Sequence, residues 1–260
     1  MMIKTVDKIV DIDIFQDVFG SIDKNFIKSI VSIASLFEDD GKNFLMMTKD
    51  STFAYGDQIC KMLSLKHDSS RPQPISSLND MKIIQVDSGD NFVVLLTDDG
   101  LVYLASNDDV WDTKKTFKLI TVSNDDDRFK MIACGESDFL LLRQDGTVFK
   151  SCDSSNDSEK SRPKRIEPVK NLKNVKLIAC GKNHWFALTK REKLYLWGKN
   201  YYGQSDLDYC DDISDISDIS GISDISLSQS MNVVPSHDHS ADICFICCFV
   251  ANTCIGASHS

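Results

Sequence analysis

Short apolar runs separated by polar turns recur along the chain in one fixed order. VVLL (93–96) and FLLL (139–142) are each followed by three polar residues and a glycine, then by a second run, LVYL (101–104) or TVF (147–149). An Asp-Gly step between two β-prone runs predicts a tight hairpin, because glycine reaches positive φ without a steric penalty. The first run of each pair is apolar at nearly every position instead of alternating, which predicts a strand covered on both faces. Small antiparallel sheets stacked side by side supply that environment, and a propeller of four-stranded blades is the closed form of such a stack.

The pattern is an internal repeat. Gly89, Gly135 and Gly181 follow one another at intervals of 46 residues, inside IIQVDSGDNFVVLLTDDGLVYL, KMIACGESDFLLLRQDGTVFK and KLIACGKNHWFALTKREKLYLW. In that register Leu96, Leu142 and Leu188 coincide, as do Tyr103, Phe149 and Tyr195. Gly100 and Gly146 share a column in which the third copy has Glu192. A fourth, more divergent copy, GKNFLMMTKDSTFAYG, runs from Gly41 to Gly56, and the spacers starting at Ser70 and Ser161 also align. Kelch blades would need a Gly-Gly doublet, which is absent, and the single Trp-Asp pair (Trp111-Asp112) falls in a spacer and not at a strand end.

The last copy continues as KLIACGKNHWFALTKREKLYLWGKNYYGQ, where Gly181, His184, Leu188, Trp197, Gly198, Asn200, Gly203 and Gln204 stand in the order of a known signature. It resembles the repeat of the regulator-of-chromosome-condensation family. In the earlier copies Ser106 and Cys152 replace the glycine after the aromatic position. The N-terminal layout is similar to family members that pair these repeats with a BTB domain. The resemblance implies an all-β fold: a partial β-propeller of about four blade repeats behind a short N-terminal helix. The family's propellers close with seven blades, so the expectation is a truncated product, with completion of the surface by assembly as the alternative.

Three regions follow: a helical lead-in (1–40), propeller repeats (41–209) and a tail (210–260). IDKNFIKSIVSIASLF places Ile22, Phe26, Ile30 and Ile33 at helical spacing, with Ser21 as candidate N-cap. The tail opens with the Asp/Ser-rich DDISDISDISGISDISLSQS and ends in a Cys-rich stretch. Its composition predicts disorder.

Charge adds little to this picture. The net charge is −10, but residues 211–260 carry seven aspartates and no Lys, Arg or Glu, so residues 1–210 stand at only −3. Such a body has no overall attraction for nucleic acid or anionic lipid. The longest apolar stretch of the tail, about 14 residues, falls short of the roughly 20 that a membrane-spanning helix needs. Nine cysteines, an odd number, and an N-terminus without a signal segment point to a reducing compartment, cytoplasm or nucleus.

Candidate chemistry is sparse. His184 has Phe92 and Asp138 in its column, so a structural histidine is expected and not a general base. Cys134 and Cys180, each directly before a repeat glycine, read as small hydrophobes. In the tail, Cys244, Cys247, Cys248 and Cys254 with His237, His239 and His259 include one CxxC step but no second paired half, so no metal site is assigned. The basic run Lys160, Arg162, Lys164, Arg165, Lys170, Lys173 and Lys176 reads as a solvated loop in preference to a DNA contact. No phosphate loop, metalloprotease motif or dinucleotide fingerprint occurs, and no cofactor is expected.

The functional expectation is a non-enzymatic protein-binding scaffold whose partners are other proteins, with no specific nucleic acid and no membrane. The resemblance implies more: a fragment of a ubiquitin-ligase substrate adaptor. Two alternatives stand beside it, a nucleotide-exchange regulator of a small GTPase such as Ran and a non-functional fragment. The residues that carry the repeat are Gly89, Gly135, Gly181, Gly100, Gly146, His184, Trp197, Gly198, Gly203 and Gln204.

Overall fold

The computed structural model describes residues 19–37, 42–122, 128–152, 165–198, 210–216 and 255–256. They form a partial β-propeller of four antiparallel sheets, each a meander in chain order. Blade I contains β1 (Ser32–Leu36), β2 (Asn43–Met47), β3 (Thr52–Tyr55) and β4 (Gln73–Pro74). Blade II contains β5 (Ile83–Ser88), β6 (Phe92–Thr97), β7 (Val102–Ser106) and β8 (Lys118–Leu119). Blade III contains β9 (Phe129–Cys134), β10 (Phe139–Arg143), β11 (Val148–Cys152) and β12 (Arg165–Pro168). Blade IV contains β13 (Val175–Cys180), β14 (His184–Thr189), β15 (Leu194–Gly198) and β16 (Cys210–Ile216). A last pair, β17 (Ile255–Gly256), lies beside β1.

The apolar runs are buried on both sides, and the two-residue period of a strand divides them between two cores. In β6 every residue is buried. Val93 and Leu95 pack with Leu45, Met47 and Ala54 of blade I. Phe92, Val94 and Leu96 face Ile132, Phe139 and Leu141 of blade III. In β10, Leu140 and Leu142 turn towards Trp185 and Ala187 of blade IV. Blade IV closes the described stack, and there β14 alternates between buried and half-buried residues.

Two differences from the sequence reading concern the ends of the stack. Among the described residues of the lead-in, the helix at Lys24–Ser29, α1, is only six residues long. Asp23 is its N-cap, with a carboxylate that accepts from the N–H groups of Asn25 and Phe26 at 2.9 and 3.0 Å. Ser21 does not cap it and donates to the Ser69 carbonyl at 2.6 Å. The residues after Ile30 leave the helix because Ser32–Leu36 supplies the inner strand of blade I, paired along its length with β2. Ile22, Phe26, Ile30 and Ile33 do share one apolar cluster, with Phe19, Phe44, Met46 and Tyr55, so the lead-in covers the outer side of blade I. At the other end Cys210–Ile216, read as tail, is the outer strand of blade IV. Strand pairing is satisfied by the main chain, so an Asp/Ile/Ser sequence can join an edge without an apolar run. The remaining tail residues, 217–254 and 257–260, lie outside the described set.

At the hairpins the Asp-Gly reading holds. Gly100 and Gly146 have φ of +84° and +91°, and Glu192 takes the same left-handed conformation at φ +61°. A side chain there costs about 1–2 kcal/mol. The compensating Lys176–Glu192 pair is exposed and contributes only about 0–1 kcal/mol. Glu192→Gly is therefore expected to raise the unfolding free energy by about 0.5–1 kcal/mol, read as an upward shift of the denaturation midpoint. A midpoint lowered by the substitution would contradict this account of the hairpin.

Candidate interaction surface

All blades point the same way, so the stack has two ends of different make. At one, the turn end, the chain passes from the inner to the second strand of blades II, III and IV through Gly89, Gly135 and Gly181. Each of these N–H groups closes a turn onto the carbonyl three residues on, at 3.1, 2.7 and 2.8 Å to Phe92, Asp138 and His184. The turns also bond to one another: the Asp90 N–H donates to the Glu136 carbonyl, and the Glu136 N–H to the Lys182 carbonyl, both at 2.9 Å. Glycine is required by proximity. A Cβ on Gly135 would stand 2.9 Å from the Gly181 carbonyl of the next blade, and one on Gly181 would run into the His184 ring. Asn91, Ser137 and Lys182 lie exposed on this array.

At the opposite, hairpin end, the Phe129 N–H donates to the Gly100 carbonyl at 2.8 Å and the Val175 N–H to the Gly146 carbonyl at 3.0 Å. The main chain thus ties blade II to III and III to IV at both ends. Loops held this way lose little conformational entropy on binding a partner.

Between the two ends lies a side-chain clamp that the sequence reading missed. The Gln85 carboxamide takes both polar groups of Ile132, accepting from its N–H at 3.0 Å and donating to its carbonyl at 2.7 Å. Two residues on, the buried Asp87 carboxylate accepts from the Cys134 N–H at 2.7 Å and from the Ser88 N–H at 2.9 Å. β5 therefore pairs with β9 through alternate side chains. The signal was present in the columns, where Gln85 and Asp87 interrupt otherwise apolar Met131/Leu177 and Ala133/Ala179.

The repeat residues occupy structural positions. His184 is half-buried, with its ring edge-on to Phe186 at 5.3 Å between centroids. Trp197 is buried and stacks at 6.4 Å on Trp185, whose other neighbour is the Lys150 ammonium, 3.7 Å from the ring centre. Gly198, at φ +117°, passes within reach of the Asn183 carbonyl. Gly203 and Gln204 lie outside the described residues, as do the tail cysteines and histidines and residues 160–164 of the basic run. Burial pushes the Cys134 and Cys180 thiols well up, with the Asp87 charge adding to the effect, so both stay protonated at neutral pH. The Cys180 thiol donates to the Ala133 carbonyl at 3.1 Å.

Burial lowers the His184 pKa. A group favoured as neutral in the fold stabilises it above the ordinary value of about 6.5, and that contribution is lost as pH falls towards the folded value. His184→Phe, which copies the Phe92 column, should flatten the decline in stability between about pH 7 and 5 in urea titrations. An unchanged slope would mean that another group sets it.

Among the described residues no helix is long and apolar enough to cross a membrane, and no cluster of three potential metal ligands occurs.

Residues 175–204, which include all of β14 and β15, match the regulator of chromosome condensation (RCC1) repeat. The structure of Prp20p from Saccharomyces cerevisiae, reported with its binding properties to Gsp1p and histones, superposes with a TM-score of 0.55 at 23% identity. The match covers 74% of this chain and 51% of that one. Human WBSCR16 gives 0.54 at 19%, covering 73% and 53%. Yeast RCC1 (Prp20) bound to Kap60 gives 0.53 at 19%, covering 69% and 48%. The chain spans about half the length of these proteins. No curated protein matches it. It carries an RCC1 repeat and has an RCC1-like propeller fold.

Proposed function

We propose that the chain is a non-catalytic protein-binding scaffold that engages its partner, in the cytoplasm or nucleus, through the turn end of the blade stack. One observation carries this reading: successive turns at residues 89–91, 135–138 and 181–184 are bonded to each other by main-chain groups, so exposed side chains from three blades form one rigid array. Rigid loop arrays recognise partners with little ordering cost. The test compares proximity labelling by the wild type with that by Asn91→Arg/Ser137→Arg, two exposed positions away from the core. Loss of specific labelled partners at unchanged melting temperature supports the reading, and an identical partner set overturns it.

The adaptor role in a ubiquitin ligase is the narrower form of this proposal. There the cullin contact would be made by a BTB domain and not by these blades, so direct, tight cullin binding by this chain would speak against it. Exchange activity on a Ran-like GTPase is a second reading, favoured by the similarity to Prp20p, whose report names Gsp1p binding. Accelerated release of labelled nucleotide from Ran would establish it, and an unchanged release rate would remove it.

A further inference from the structure

The hairpin end of blades III and IV gathers cations, and it does so by a repeated backbone device. In each of β5, β9 and β13 the register with the next strand slips by one residue after the first position. Such a bulge re-aims the extra side chain. The bulged residues are Ile84, Lys130 and Lys176. Lys176 meets Glu192 at 2.5 Å. The Lys130 pKa is lowered by burial first and by Lys190 second, with Asp145 opposing them in part. The Lys190 N–H donates to the Asn174 carbonyl at 2.8 Å, which joins this hairpin to the turn that carries Lys173. Lys173, Lys190 and Arg191 are exposed.

Beside this group an open cleft of about 340 Å³ lies between the blade III hairpin, at Asp145 and Thr147, and the turn 168–174. Pro168, Val169 and Leu172 give it apolar lining, and Lys170 and Lys173 stand among its walls. Its carboxylate, Asp145, is already engaged by Arg143 at 2.7 Å, a contact that holds its pKa down to about 2.

We propose that this hairpin end is a second docking surface, for an extended acidic peptide that carries an apolar residue: its carboxylates meet Lys130, Lys173, Lys190 and Arg191 while the apolar side chain enters the cleft. A peptide of eight to ten residues matches a patch confined to two blades. A nucleic acid duplex or long strand would need cations spread beyond the two blades that carry them here. The proposal does not depend on the turn-end reading, since the two surfaces lie at opposite ends.

The test uses the full chain and a fluorescein-labelled decapeptide of Asp and Glu with one central Leu, followed by fluorescence anisotropy at about 150 mM salt, where loose charge attraction is screened. Saturable binding is expected, weakened at least tenfold in Lys130→Gln/Lys190→Gln/Arg191→Gln. Lys114→Gln/Lys115→Gln, at the turn end, should bind like the wild type. No saturable binding, equal weakening by both sets, or tighter binding of a labelled 20-nucleotide single-stranded DNA than of the peptide would overturn the proposal. Thermal melts confirm that both variants remain folded, as expected for exposed and half-exposed side chains.

Discussion

Phe139→Ala is expected to lower the unfolding free energy by about 3–5 kcal/mol, the loss typical of an aromatic ring removed from a core that cannot collapse around the gap. Phe139 is fully buried, with Phe92 at 5.6 Å and Trp111 at 5.4 Å between ring centroids. These neighbours come from the central strand of blade II and from its spacer. The ring therefore joins two blades, and the rigid stacked sheets on either side cannot close on the hole. For a body of this size each kcal/mol shifts the midpoint by about 2–4 °C, so thermal unfolding should begin at least 6 °C lower. Phe139→Leu, which keeps most of the volume, should cost under about half as much. An alanine variant within 1 kcal/mol of the wild type would show that blades II and III are not packed through this ring.

The second large effect belongs to the clamp. Asp87→Ala removes the acceptor from the buried Cys134 N–H and from Ser88, and an unsatisfied buried donor costs about 1–3 kcal/mol. A total loss of about 2–4 kcal/mol is expected, with Asp87→Asn intermediate because its carbonyl oxygen can keep one of the two bonds. Gln85 serves the same partner strand, so the two side chains should couple. The Gln85→Ala/Asp87→Ala double variant should depart from the sum of the single losses by at least about 0.5 kcal/mol. Strict additivity would mean that Gln85 and Asp87 do not act as one device.

The clamp also marks the limit of what was legible beforehand. Columns that repeat every 46 residues announce a repeated environment, and the strands of blades II to IV follow them closely. Gln85 and Asp87 are departures from their columns. Two polar residues two apart in a strand look like an ordinary solvent-facing alternation until the neighbouring strand is in place. Blade I shows a different obstacle. Ile30 and Ile33 are three apart, which is helical spacing, yet Ile33 lies in a strand and both reach the same cluster because the chain turns between them. The structural part of the interaction surface was visible in Gly89, Gly135 and Gly181. Of the hairpin-end cations only Lys173 stood in the basic run, because Lys130 and Lys190 are 60 residues apart in a chain of otherwise ordinary basic content.

The covering of blade I by α1 and Phe19 has a bearing on how the molecule forms. During synthesis the sheet of blade I, the earliest of the four described, already has its outward side sheltered by residues made just before it. Each later sheet then arrives to find a finished template on one flank. Nascent polypeptide would thus expose a single sticky flank at any moment, and the vulnerable one moves steadily towards the growing terminus. Deleting the first 30 residues should therefore harm yield and solubility during translation more than it lowers the equilibrium stability of whatever protein is recovered.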